Sequence, residues 1–410
     1  MMYVGIDVGK NNHEMGIVDD EGNHVGSSLP FPNTVEGAQK MLQYLKLMNP
    51  SNEDVLVCME STGHYWLSLY SFLQKEEYET VVVNPLQSDS FRKLSLRKTK
   101  TDPVDSFLLA DLIRFGKYSN TTLPNEKTHA LRQLSRFRTS LVETCSDCKR
   151  QAIAVLDQVF PEYASLFSDV FGKTSQEILL KYTTPEEILS VDTRKLTYIL
   201  SKASRGRLGK EKARALKKAA KTSFGIVYAL DAFPFQLKMI LRQIQFMETN
   251  IKEVEEKMVQ TLKEVNNVIT TIPGVGPILG AAVVGEIGDI KRFSDCNKLV
   301  AFAGLDPSVK QSGSFTGTKN HISKRGSRYL RRAIWLAAGV AAFHDPVFSA
   351  YYLKKIGEGK AYGTSIGAVA RKLTFTIFAV LRDNKPYEIH LPEKKDNKIL
   401  PANLSSTTHI

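Results

Sequence analysis

Asp7, Glu60, Asp102 and Asp105 are four acids whose positions along the chain let them meet at one site. Asp7 ends the apolar run Tyr3-Val4-Gly5-Ile6-Asp7, and Glu60 ends Val55-Leu56-Val57-Cys58-Met59-Glu60. Both carboxylates therefore fall where a buried strand reaches solvent. Asp102 and Asp105 open a helical stretch. Their i,i+3 spacing sets both on one face, and Asp102 is expected to cap the helix whose first turn holds Pro103. Four carboxylates drawn together repel one another or take up protons unless a cation joins them. Mg²⁺ or Mn²⁺ suits such oxygen-only ligands, and two ions roughly 3.5–4 Å apart stabilise the attacking and leaving oxygens of a phosphoryl transfer. Any one of these acids alone reads as a helix cap or a solvated strand end; the set of four points to cutting of phosphodiester bonds.

The elements that must position them are legible as alternating patterns. Three short strands, Tyr3 to Val8, His13 to Val18 and His24 to Ser28, are separated by the turn signals Asn11-Asn12 and Glu21-Gly22-Asn23. A helix over 34–48, a strand over 54–60, a helix from His64 to Lys75, a strand from Thr80 to Val83 and a helix from Pro103 to Phe115 follow. Three strands and then alternating helices and strands is the order of an α/β domain of the ribonuclease-H-like (RuvC-like) type, expected over 1–125.

Beyond it the chain reads as helical. One heptad-like seam runs through Leu131, Leu134, Leu141, Cys145, Cys148, Ala152, Val155 and Val159; a second runs through Ile240, Ile244, Met247, Ile251, Val254, Met258, Leu262 and Val265. Two long helices with such seams pair with each other or with a second subunit. They bound a region over 126–268 with a helical insert at 160–235. The insert carries the basic cluster Lys202, Arg205, Arg207, Lys210, Lys212, Arg214, Lys217, Lys218 and Lys221, offset only by Glu211. A charge run is commonly a solvated face, and this one also suits phosphate. A mainly helical domain over 269–390 and a tail over 391–410 complete the chain. In that domain Pro273-Gly274-Val275-Gly276-Pro277 reads as a helix-hairpin-helix turn, its backbone at Gly274 and Gly276 able to approach a phosphate, or as an ordinary helix-helix turn. Further on, Ser308, Ser312, Ser314 and Thr316 lie in a glycine-punctuated loop followed by Lys319, Lys324, Arg325, Arg328, Arg331 and Arg332. Such a loop is commonly mere connection, but the cations after it could hold a phosphate that an exposed serine attacks.

Composition agrees. Among 410 residues, 55 Lys and Arg against 43 Asp and Glu leave a net charge of +12, which favours a polyanionic partner over a small metabolite. The length suits two or three domains. Cys58, Cys145, Cys148 and Cys296 form neither a disulfide framework nor a zinc set and read as reduced core residues. No stretch approaches ~18 apolar residues and no signal-peptide pattern opens the chain, so a cytoplasmic, nucleoid-associated protein is expected.

With these residues in place, the chain resembles the insertion-sequence transposases that join a RuvC-like DEDD domain to a C-terminal serine transposase domain, the bridge-RNA-guided recombinases. The likeness spans most of the chain. It rests on GIDVGK around Asp7, MESTGHYW beginning at Met59, KTKTDPVDS around Asp102 and Asp105, TIPGVGP, AFAGLDPSVKQSG and HISKRGSRYLRRA, in that order. The resemblance implies Mg²⁺-dependent recombination of donor and target DNA guided by a structured RNA that the element encodes, with Ser312 linking covalently to DNA. It also implies a homo-oligomer, dimer or tetramer, in which the acids of one subunit work beside the serine of another.

Three other readings compete. A metal-only endonuclease of the Holliday-junction resolvase type needs only Asp7, Glu60, Asp102 and Asp105. An ATPase of the actin and sugar-kinase fold is suggested by GIDVGK but lacks a second glycine-rich phosphate loop. A non-catalytic nucleic-acid scaffold leaves the four carboxylates without a purpose.

Overall fold

The computed structural model describes residues 1–49, 51–93, 101–116, 118, 125–228, 231–265, 267–308, 311–312, 315–316 and 321–389, with the backbone alone at 311, 312, 315 and 316. The chain divides into two units, Met1–Leu123 and Pro124–Ile410.

In the first unit five strands form one sheet: β1 (Met2–Val8), β2 (Asn12–Val18), β3 (Leu29–Pro32), β4 (Val55–Glu60) and β5 (Glu79–Val83), in the order β3-β2-β1-β4-β5. The first three are antiparallel neighbours, while β4 and β5 run parallel to β1. Helices α1 (Val35–Met48) and α2 (Trp66–Lys75) cover one face, and α3 (Pro85–Arg92) leads towards α4 (Asp102–Arg114) on the other. Because successive side chains of a strand point to opposite faces, β4 splits cleanly. Val55, Val57 and Met59 join Met41, Leu45, Leu69 and Leu73 under α1 and α2, whereas Leu56 and Cys58 meet Leu109, Leu112 and Ile113 of α4. The same alternation puts Glu60 on the α4 face, and puts Asp7 there with Tyr3 and Gly5.

The third strand is not His24–Ser28. Gly22 and Gly26 take φ of +94° and +76°, so this stretch turns, and His24 makes a single bridge to Val18. The strand forms at Leu29–Pro32 instead, on the sheet edge, where Pro30 and Pro32 lose no ladder hydrogen bond by lacking an N–H. Asp102 is likewise not the helix cap: Thr101 is, without a side-chain hydrogen bond, and Asp102 is the first helical residue.

The second unit is built on α5 (Glu126–Val159) and, after α6 (Lys173–Lys181), α7 (Pro185–Ser190), α8 (Thr193–Ser204) and α9 (Lys210–Lys221), α10 (Ala232–Glu264). The two long helices pack antiparallel on each other, tied by Lys127–Glu264, Arg138–Glu255 and Lys149–Glu248. The heptad seams are thus paired within one chain rather than left for a second subunit. At one end of the pair, Cys145, Cys148, Val155, Leu237 and Ile244 close a core with α6, α8 and α9; all four cysteines of the chain are free. At the other end, Leu131, Met258 and Leu262 join α11 (Pro277–Ile287), α12 (Cys296–Ala303), α13 (Arg328–His344), α14 (Pro346–Gly357) and α15 (Tyr362–Asp383). Between α12 and α13 lie the two-residue strands β6 (Gln311–Ser312) and β7 (Phe315–Thr316). No run of purely apolar residues reaches membrane length, yet α15 holds an 18-residue window of mean hydropathy 1.4, and half of that window is buried inside the unit.

The expected helix-hairpin-helix takes another form. A single 3-10 turn, Ile269–Thr271, precedes the hairpin, and Gly274, at φ +80°, is pressed against α13: an added Cβ would lie 2.2 Å from the Ala337 carbonyl oxygen. Gly274 serves this close approach of backbones. Gly276, the N-cap of α11, faces open space.

Candidate active site

Two glycines seat the helix that brings the acids to the sheet. Gly5 of β1 and Gly16 of β2 are direct cross-strand partners, and together they leave a notch with no side chain. The Ser106–Ala110 stretch of α4 lies in it so closely that a Cβ on Gly5 would fall 1.9 Å from the Ser106 carbonyl oxygen, and one on Gly16 would fall 2.7 Å from the Ser106 hydroxyl. This contact draws the N-terminal turn of α4, with Asp102 and Asp105, towards the ends of β1 and β4. Asp7 registers the result. Burial first, and then Asp105, Asp102 and Glu60 in that order, raise its carboxyl to about 6, against a backbone hydrogen bond from Val8 that lowers it.

Two of the other acids, Asp105 and Glu60, are held by neighbours that the sequence reading missed. Arg92, at the end of α3, forms an ion pair with buried Asp105, Nη1 to Oδ1 at 2.5 Å. Ser88 of α3 donates to Glu60 Oε2 at 2.5 Å, and Thr62 donates to Oε1. Glu14 lies directly across β2 from Asp7. The signals for these were faint. An eight-residue helix is too short to show a 3.6-residue period, although Asn84 before Pro85 is a cap signature, and its side chain does accept from the Leu86 N–H. Among the described residues no three carboxylates stand close enough as placed to hold one ion. The donor set is nevertheless oxygen-only, and three carboxylates that push a fourth up gain by taking a hard cation.

In the second unit the chain around Ser312 forms a stem. Ser308 gives two hydrogen bonds to one carbonyl: its N–H and its hydroxyl both donate to His321 O, at 2.7 and 2.9 Å. Pro307 bridges Ile322, and Ser323 donates to Asp306 at 2.5 Å. Gly304 and Gly326, at φ +66° and +90°, turn the chain at the stem's base against Arg325 O and Phe302 O. From this stem β6 and β7 pair, Ser312 opposite Phe315. Gly313, Ser314 and Lys319 lie outside the described residues. Of the cations that follow, Lys324, Arg325 and Arg328 are exposed. Arg331 donates to the Ala303 carbonyl, and Arg332, itself half-exposed, pairs with Glu143. Beneath them, Glu286 of α11, 1 % exposed, accepts from Arg136 at 2.6 and 3.1 Å and from the Ser327 hydroxyl at 2.7 Å.

On the insert, Lys202, Arg205, Arg207 and Lys210 are exposed around the α8–α9 turn, with Arg214, Lys218 and Lys221 along α9. Lys212 and Lys217 are spent on the Leu166 and Leu189 carbonyls and leave this surface.

Two family models match the chain. One, a transposase model of the DEDD type of IS110 elements, matches residues 4–161; the other, described as transposase of the IS116/IS110/IS902 family, matches residues 266–353. Similar proteins include an uncharacterised 44.8 kDa protein of insertion element IS116 from Streptomyces clavuligerus, 24 % identical over 94 % of this chain and 95 % of its own length. A mini-circle putative transposase for IS117 from Streptomyces coelicolor is 25 % identical over 87 % of this chain and 88 % of its own. A pilin gene-inverting protein of Moraxella bovis is 23 % identical over 95 % of this chain and 99 % of its own.

Proposed function

The chain is a transposase of the IS110/IS116/IS902 family, a DNA-processing enzyme, and we propose that it moves an insertion sequence by RNA-guided cleavage and exchange of DNA strands. The observation that carries this reading is the carboxylate set: Asp7 pushed up to about 6 by Asp105, Asp102 and Glu60, within the stretch matched by the DEDD model. Asp7, Glu60, Asp102 and Asp105 would hold Mg²⁺ or Mn²⁺, which when bound supplies charge stabilisation at the oxygens of a phosphoryl transfer. Arg92, which pairs with Asp105 here, would have to release that carboxylate for it to serve as a ligand.

Ser312 is the nucleophile. Its oxygen forms a bond to the scissile phosphorus as the bond from phosphorus to the deoxyribose oxygen breaks, and the serine proton ends on the released deoxyribose hydroxyl. The phosphoserine link keeps the energy of the broken bond, so rejoining to a new strand needs no ATP. The name of the pilin gene-inverting relative suits this reading, because inversion requires that cut strands be rejoined. Ser308 is the weaker candidate, since its hydroxyl is already committed to His321 O. Lys324, Arg325 and Arg328 face the phosphate and stabilise its developing charge. Lys202, Arg205, Arg207 and Lys210 give the structured RNA or the DNA backbone a phosphate-binding face. Sequence choice belongs to base pairing with the element's RNA, which relieves the protein of reading bases. The working form is a dimer or tetramer.

The test is to incubate the protein and its copurifying RNA with Mg²⁺ and target DNA, digest, and search for the adduct by mass spectrometry. A phosphoserine–DNA peptide containing Ser312, absent in Ser312→Ala, is the expected result. Cut DNA without any adduct would establish the metal-only endonuclease instead.

A further inference from the structure

The second unit contains a cavity of about 680 Å³ that neither the acids nor the serine uses. Its walls come from the stem residues Pro307, His321 and Ile322 and from α13, α14 and α15. Its volume falls within the roughly 300–1,000 Å³ of sites that bury small organic groups. The lining is divided in character. Trp335 and Tyr351 offer aromatic surface, and Arg371 and Lys372 offer positive charge. Lys372 Nζ lies 5.0 Å from the centre of the Tyr351 ring, and the Arg371 guanidinium 6.0 Å from that of Phe375. Among the described residues neither cation has a carboxylate partner, and the described lining holds no acidic side chain. Trp335 is backed by Gly367, where an added Cβ would rest 3.4 Å from the ring.

A lining in which aromatic rings and unpaired cations stand side by side fits a ligand that is planar and apolar in one part and anionic in another. That is a nucleotide. Base–aromatic stacking works with any base because every base has a π-face, and cations take the phosphate. The position of the cavity narrows the source. Pro307 on its rim is five residues before Ser312, so the chain between them spans at most about 17 Å when fully extended. A strand engaged at Ser312 therefore passes within roughly five nucleotides of the cavity, at the ~3.4 Å rise of one strand of duplex.

We infer that this cavity receives one unpaired nucleotide of the DNA strand engaged at Ser312, its base stacked on Trp335 and its phosphate held by Arg371 and Lys372. The inference rests on the proposed role of Ser312 for its choice of DNA. Its physical content is that a base taken out of the stack finds a surface here, which separates the strand from its complement beside the point of cleavage.

The chain has two tryptophans, Trp66 and Trp335, so a Trp66→Phe protein reports on Trp335 alone. Titrated in EDTA with a short single-stranded DNA oligomer, its fluorescence should be quenched to saturation. Inorganic polyphosphate should not quench it. Gly363→Leu fills the cavity from a position where an added Cβ meets no atom within 4 Å. It should weaken the quenching titration about tenfold, or about 1.4 kcal/mol, and Arg371→Gln with Lys372→Gln should weaken it by a similar factor. Oligomer binding that leaves Trp335 unquenched, an unchanged titration in Gly363→Leu, or tighter quenching by RNA of the same sequence would each overturn the inference. Because no strand is cut in EDTA, these outcomes are independent of whether the Ser312 adduct forms.

Discussion

In a Gly5→Ala protein the new methyl carbon would start 1.9 Å from the Ser106 carbonyl oxygen, 2.5 Å from the Ala110 nitrogen and 2.9 Å from the Leu109 Cβ. All three atoms belong to α4, and two of them are in its backbone, so no side-chain rotation relieves the overlap. Non-bonded contacts become comfortable near 3.5 Å, and α4 must therefore withdraw from β1 by about 1.5 Å. Overpacking of this kind costs roughly 1–3 kcal/mol. For a unit of this size that lowers the melting temperature by several degrees and leaves it folded. The acids are less forgiving. A metal site tolerates about 0.2 Å in its ligand distances, and a misplacement near 1 Å at a reacting centre costs on the order of 10²-fold in rate. Strand cleavage by Gly5→Ala should thus fall at least a hundredfold at a temperature where its melting curve is still flat. The control is Gly339→Ala on α13, where an added Cβ meets nothing within 4 Å and the helix should gain slightly. If Gly5→Ala melts lower but cuts at the native rate, the seating of α4 does not set the geometry of the acids and the reasoning fails.

Arg92→Gln should lower the melting temperature in EDTA, since it leaves the mostly buried Asp105 carboxylate without its cation. Mn²⁺ should narrow that deficit and bind more tightly than to the unaltered protein; equal deficits in EDTA and Mn²⁺ would reduce Arg92 to a structural brace. Asp7 titrates near 6 in the folded chain against 3.8 unfolded, so its contribution to stability is present below about pH 4 and is lost as pH rises through 6. Melting curves in EDTA should show this decline, Asp7→Asn should flatten it, and Mn²⁺ affinity should weaken as pH falls below about 6, where a proton competes for the site. Glu286→Ala strands Arg136, with Arg132 and Arg292 nearby, around a lost buried carboxylate. A loss of about 3–5 kcal/mol in the helical unit is expected by chemical denaturation, and a loss under about 1 kcal/mol would mean that the network is already wet.

What could be read in the chain divides along physical lines. Strand alternation carried the acids: apolar runs that end in Asp7 and Glu60 are local patterns, and period-two geometry alone puts both on one face of the sheet. The long seams were as legible, because a 33- or 34-residue helix repeats its pattern often enough to declare itself, though sequence left open whether the partner was in the same chain. The failures are of a different kind. Leu29–Pro32 looks unlike a strand because its two prolines argue against pairing, and only its place at the sheet edge removes the objection. Arg92 and Asp105 are 13 residues apart on separate helices, and nothing local couples them. Gly5 and Gly16 each look like ordinary strand glycines; their meaning lies in being opposite each other, a property of register that appears only when the sheet is formed. Which acids share a face was thus legible in local patterns, and what fixes the elements that carry them was written in pairings between distant positions. That difference also explains why the cavity behind the serine loop went unread: Trp335, Tyr351 and Arg371 come from three helices, each of which uses its own period for the core, and what they share is only the space they leave between them.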